Sequence, residues 1–442
     1  MTTLEVKSVE HLLGSGIPYA YAVKAGPWIF LTGHEAFDFT DGVSEAVAGP
    51  PGFPMFGRPR WRREGDFILE RMRRILQEFG SDLGHGVRLD QFYPTPAAVD
   101  PYHLARRAAF GDYIPPSTSV IMQSCFGTES GISSSLIAVV PSPEYEIRKV
   151  YPADVTASAS SGFVPTIVCN DFVFVAGQMA SGREHGLDPR AHVPDHSLWA
   201  GTEIRKQTEF IIQERLRPAV EAAGSSLERS VKAQVYLKNV ADFPDFVDVW
   251  TQCYQGIPCA LTVVPTKGFA MVGGIIEINL LALTNGAKRE KEVVAADIPA
   301  MAAYGPCIKV GEFLLPSGLM AIGRDGHIAG KTISPGFPGL SHAGYTQAAA
   351  VHDYAEALCA AAGTSLANVL RAQYFVSDPT AFPGIAMAWG SRFGARPRKS
   401  RTGCCAATPP TPTISISSVN GGTSRNIGAF AKRSRARSGR NL

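Results

Sequence analysis

The sequence predicts an α+β protein made of three tandem copies of one ββαβαββ unit, and three recurring patterns predict it. The first is an apolar hairpin, seen as AYAVKAGPWIFLTGH (20–34), TIVCNDFVFVAGQ (166–178) and CIKVGEFLLPSGL (307–319). The second is a helix C-cap, FGSDL (79–83), AGSSL (223–227) and AGTSL (362–366). The third is the strand that follows each cap, VRLDQFYPT (87–95), VKAQVYLKN (231–239) and LRAQYFVSD (370–378). Their order and spacing match three times over, with hairpin-closing glycines Gly33, Gly177 and Gly318 roughly 140 residues apart, far beyond any solenoid period.

Each element has a local reason. The hairpins turn at Gly26-Pro27, Asn170-Asp171 and Gly311-Glu312, between β-forming runs. Long Pro/Gly-rich loops follow at 37–63, 180–203 and 320–344. Ile68, Leu69, Met72, Ile75, Leu76 and Phe79 then fall at helical spacing and predict one buried face. The cap glycine supplies a left-handed C′ residue that a side chain disfavours. A second helix starts near Asp100-Pro101, Phe243-Pro244 and Phe382-Pro383, where proline in the first turn loses no needed donor. Closing strands end in LIAVV (136–140) and IIEINLLAL (275–283). The expected division is 1–145, 146–288 and 289–396, the last lacking its closing strands, then a basic, disordered tail at 397–442.

That tail changes the charge balance. From Arg396 onward there are ten Lys/Arg and no acid, so subtracting them from the net +3 leaves −7 on the rest. Its Ser/Thr/Arg-rich composition predicts disorder, and only TISISSV (413–419) could serve as a makeshift strand. It lacks interleaved aromatics, so a nucleic-acid partner is not expected. An unpaired sheet edge would favour self-association. The eight scattered cysteines form no CxxC pair or zinc spacing, which predicts buried thiols, a cytoplasmic location and no metal. No apolar run reaches membrane-spanning length, and no phosphate loop precedes a helix, so neither membrane nor cofactor is expected.

The unit resembles the RidA/YjgF (L-PSP) family along residues 15–395. The marks are the hairpin ending Gly177-Gln178, the AAGSSL cap, VKAQVYL followed by Asp242-Phe243, and the closing IEINL at 276–280. The resemblance implies homotrimer-like packing of sheets around a central barrel, with clefts between neighbouring units. Three fused units would make this pseudo-trimer within one chain. It also implies hydrolysis of a small imine or enamine with release of ammonia.

Such chemistry calls for a carboxylate to hold water and a guanidinium to anchor a substrate carboxylate. The resemblance assigns the carboxylate to Glu277, with Ser133 at that place in the first unit. It assigns cleft-wall and substrate contacts to Tyr19, Tyr304, His34 and Gln178. The family arginine sits in a P-x-R-[ST] pattern, but IPPSTSV (114–120) and IPCALTV (257–263) place Ser117 or Ala260 there. Arg183 or Arg324, in the similar loop strings SGREHG and IGRDGH, could supply a substitute guanidinium or could be solvated turn residues. Two functions stay open: a C–N hydrolase or deaminase using Glu277, and a non-catalytic ligand-binding or regulatory scaffold.

Overall fold

The computed structural model describes residues 4–11, 18–38, 42–50, 52, 57–127, 129–153, 155, 161–182, 186–197, 201–299, 307–328, 342–393, 405–406 and 413–420. They form a mixed α+β structure with three large sheets of one strand order. In the first sheet the order is Leu4–His11, Pro18–Ala25, Trp28–Leu31, Ser133–Val139, Gly86–Tyr93 and Ser117–Ile121. The second runs Ile147–Val150, Thr166–Cys169, Phe172–Gln178, Ile276–Leu283, Ser230–Leu237 and Ala260–Pro265. The third runs Lys291–Val294, Cys307–Val310, Phe313–Leu315, Thr413–Asn420, Val369–Val376 and Cys405–Ala406. In each, the strand after the helix cap lies between an antiparallel and a parallel neighbour.

The hairpins form at the expected turns, with φ of +57° at Gly26, +53° at Asn170 and +54° at Gly311. The sheets begin one strand earlier than the sequence reading, with Leu4–His11, Ile147–Val150 and Lys291–Val294 along their edges. TISISSV lies within Thr413–Asn420, which pairs with the central and hairpin strands of the third sheet.

One face of each sheet carries a helix pair. The Arg60–Glu78 and Val99–Phe110 helices cover the first sheet, and Ile68, Leu69, Met72, Ile75 and Leu76 are buried there as the periodicity predicts. Glu203–Ile211, a π turn at Ile212–Leu216 and Arg217–Ala222 pack with Phe243–Cys253 on the second. Ala343–Ala361 and Phe382–Phe393 do so on the third. No described helix is long and apolar enough to cross a membrane.

The opposite faces of the three sheets meet one another. At one end Trp28, Phe172 and Phe313, one from each sheet, form a ring cluster with centroids 5.5–6.0 Å apart. At the other end Phe92, Tyr236 and Phe375 repeat the arrangement at 5.8–6.4 Å. Such edge-to-face clusters bury much area in defined geometry. Polar side chains occupy the strand positions between these two clusters.

Candidate functional site

The central strands of the three sheets carry a cation at one matching position: Arg88, Lys232 and Arg371. Each reaches into the next sheet. Arg88 donates to Thr118 Oγ1 at 2.7 Å and across to the Val175 carbonyl at 3.2 Å. Lys232 donates to Thr262 Oγ1 at 2.8 Å and to the Pro316 carbonyl of the third sheet at 2.6 Å. Arg371 closes the circle, donating to Asp90 at 2.7 Å and Ser135 at 2.9 Å in the first sheet.

Asp90 lies between two guanidiniums, since Arg88 Nε also donates to it at 2.8 Å. Burial works to raise its pKa, but the charges of Arg88 and Arg371 win and hold it below the usual carboxylate range. Burial lowers the Lys232 pKa to about 8.

Glu277 projects from Ile276–Leu283 toward the first sheet and is 4% exposed. Its carboxyl fills the space over Gly177, where an added Cβ would meet Glu277 Oε1 at 1.8 Å and Thr118 Oγ1 at 2.9 Å. A side chain at 177 would therefore displace the Glu277 carboxyl from this place. Burial drives the Glu277 pKa up to about 8, against the Arg88 charge and the Ser119 backbone N–H. The carboxyl is thus mostly protonated at neutral pH, the state of a proton donor. Asn279, on the same face, donates to Thr118 Oγ1 at 3.3 Å.

The other sequence-derived candidates do not gather here. Gln178 is buried beside Gly177 and donates to the Ala176 carbonyl at 3.3 Å. Tyr19 is buried in the first sheet, its hydroxyl donating to the Gly33 carbonyl at 2.8 Å. With Tyr21, Gly33, Glu35, Phe37 and Phe126 it lines a cavity of only about 10 Å³, room for one water at most. His34 is fully buried, accepts from Arg71 Nε at 3.3 Å, and is kept neutral by burial and the Arg71 charge. Tyr19 and His34 thus make these contacts on the helix side of the first sheet, whereas Glu277 meets Thr118 and Arg88 on its other side. Arg324 is a surface residue, its side chain 65% exposed and paired with Asp297 at 2.5 Å. Tyr304 and Arg183 lie outside the described residues.

Ser117 also needs correction. Thr118 pairs with Asp90 and Thr262 pairs with Gln234, so the two strands align on these threonines. Pro116, not Ser117, then corresponds to Ala260, and Ser117 faces the helices instead of the neighbouring sheet. Arg88, Asp90, Thr118 and Asn279 escaped the sequence reading. The shared cation in VRLD, VKAQ and LRAQ was the signal available for Arg88.

Glu35 is buried next to His34. Its carboxylate accepts the backbone N–H groups of Phe126 at 3.0 Å and Gly127 at 2.8 Å, while burial raises its pKa to about 7. This group anchors a loop of the first sheet.

A family profile described as "Endoribonuclease L-PSP" matches residues 155–284. A RutC family protein of Saccharolobus solfataricus is 30% identical over 112 residues, covering 25% of this chain and 79% of that relative. The mitochondrial protein mmf2 of Schizosaccharomyces pombe is 35% identical over 95 residues, covering 21% of this chain and 74% of that protein. Among solved structures, yeast Mmf1 aligns with a TM-score of 0.26 and 21% identity, covering 32% of this chain and 100% of that one. A Mycobacterium tuberculosis member of the YjgF/YER057c/UK114 family aligns at 0.24 and 20%, covering 31% and 100%. Sequence relatives covered over more than two thirds of their length, together with the profile match, place this chain in the RidA/YjgF (L-PSP) family, to which it belongs alongside the RutC family proteins.

Proposed function

We propose that the chain is a RidA-type hydrolase of a small imine or enamine that lacks a carboxylate, working at the junction between the first and second sheets. In this reading residues 1–145, 146–288 and 289–396, the last completed by the strands Cys405–Ala406 and Thr413–Asn420, are three family units packed as an intramolecular pseudo-trimer. The cyclic reach of Arg88, Lys232 and Arg371 into successive sheets supports that packing.

The observation that carries the activity is the buried Glu277 carboxyl beside Gly177 and opposite Arg88 and Thr118, a burial that raises its pKa. Protonated Glu277 gives its proton to the imine nitrogen, and water adds to the carbon. The resulting carbinolamine loses ammonia to leave a carbonyl, and the proton released by the water returns to Glu277. Pro116 and Ala260 offer no anchor for a substrate carboxylate, and the Arg88 donors are engaged by Asp90, Thr118 and Val175. That engagement favours an uncharged substrate.

The test follows loss of freshly generated imine, using an uncharged ketimine and a 2-imino acid in parallel. Turnover of the ketimine should fall on the order of 100-fold in Glu277→Ala with the fold retained. Wild-type protein that turns over neither imine would instead favour a binding scaffold, a reading supported by the same engagement of Arg88.

A further inference from the structure

The helices over the first and second sheets begin in the same way. A 3₁₀ turn capped by Thr95 or Asn239 leads into a helix at Val99 or Phe243, and Asp378 with Phe382 repeats this in the third. Arg106, Trp250 and Trp389 therefore hold one helix position. Trp250 stacks on Tyr254 with centroids 4.0 Å apart, and Trp389 packs on Phe393 at 4.2 Å. Arg106 occupies that place as a guanidinium with no solvent exposure.

The sheet beneath has changed with it. The second sheet faces its helices with Val235, Leu261, Val263 and Ile278, whereas the first presents Gln91, Ser117, Ser119 and Ser134 at the matching register. Arg106 Nη1 donates to Gln91 Oε1 at 2.8 Å and Ser117 Oγ at 3.3 Å, and Nη2 donates to the Ser161 carbonyl at 2.5 Å. All are neutral acceptors, and among the described residues no carboxylate pairs with Arg106. Arg106 Nε has no hydrogen-bond partner, nor does either ring nitrogen of His103, one helical turn away and 5% exposed.

A guanidinium keeps its charge when buried, so taking it out of water is costly unless an anion compensates. An orphaned Nε–H adds a desolvation penalty. The interior supplies further hydroxyls from Tyr102 and Ser134, which bond each other at 3.1 Å. We infer that the buried Arg106 guanidinium, on the opposite side of the first sheet from Glu277, binds a small monoanion of halide or formate size. The anion sits against Arg106 Nε, its charge neutralising the guanidinium and the neighbouring hydroxyls and His103 completing its donors. One negative charge balances the single buried cation, whereas a multivalent anion would leave excess charge buried.

Two measurements test this on the full chain. Denaturation is followed with rising bromide or formate, at ionic strength held constant with sulfate. Bromide at ~100 times its dissociation constant should multiply the folded-to-unfolded ratio on the order of 100-fold. That response should be absent in Arg106→Trp, the residue of the other two sheets, and in Arg106→Met. An equal bromide response in the variants and wild type would overturn the inference. Anomalous diffraction from bromide-soaked wild-type crystals decides independently of whether the variants fold. Bromide beside Arg106 supports the site, and a water or no density there refutes it.

Discussion

The first and second sheets meet over the same strand positions as the second and third. In both, a cation from a central strand bonds a threonine on its parallel neighbour and a carbonyl of the next hairpin: Arg88 with Thr118 and Val175, Lys232 with Thr262 and Pro316. The acids differ. Glu277 faces the first junction, while Thr413 stands at its register position in the third sheet and Ser133 in the first. Likewise Asp90 carries charge where Gln234 and Gln373 do not. The cations and the aromatic ends recur in all three sheets. The acids do not recur, and they make the junctions chemically unequal.

The largest effect should come from making Asp90 resemble its counterparts. Asp90→Asn leaves Arg88 and Arg371 buried side by side without a counterion, which should cost about 3–5 kcal/mol in chemical denaturation. Because the Asp90 pKa is depressed in the fold, its contribution is present above the unfolded carboxylate pKa and is lost on acidification. The wild-type advantage over Asp90→Asn should therefore shrink below about pH 4. A variant as stable as wild type at pH 7 would mean the junction does not depend on this pair.

Glu277 offers the opposite change. Its pKa rises from 4.5 to about 8 on folding, so between those values the folded state holds a proton that the unfolded chain has released. Stability from this group is thus present below about pH 4.5 and lost progressively as pH rises toward 8. Glu277→Gln removes the penalty and should gain ~3 kcal/mol at pH 7, with almost no gain near pH 4.5. Denaturation at pH 4.5, 7 and 9 reads this directly. A gain independent of pH would show that the carboxyl ionises as freely in the fold as in the unfolded chain.

These contrasts explain what the sequence discloses. Hairpin turns and helix caps were legible because they are fixed by local backbone needs, such as the positive φ at Gly26, Asn170 and Gly311. The leading edge strands were not: Lys291-Glu292-Val293-Val294 is short and largely exposed, with little apolar signal. The junctions were hidden for another reason. Arg88 and Arg371 look like ordinary polar strand residues until neighbouring sheets bury both. Glu277 could be picked out through the resemblance, but its companions could not, since Thr118 lies far away in the sequence and in another sheet. The one-residue offset between IPPSTSV and IPCALTV is a loop difference that only the strand register fixes. Arg106, in the string LARRAAF, reads as a surface-helix residue until the helix starts are aligned.

The smallest change concerns the aromatic end of the junctions, where Phe92, Tyr236 and Phe375 meet. The Tyr236 hydroxyl is buried without a hydrogen-bond partner, and burial, with the nearby Asp90 charge, pushes its pKa well above that of a free phenol. A hydroxyl left unpaired in the interior is a net cost, while the ring makes the same contacts without it. Tyr236→Phe, which makes the cluster uniformly phenylalanine, should stabilise the protein by ~1 kcal/mol with an unchanged denaturant slope. A loss of stability would instead mean that the phenol bonds an ordered water in the polar layer between the aromatic ends. The cluster would then belong to the junction's polar network as well as to its packing.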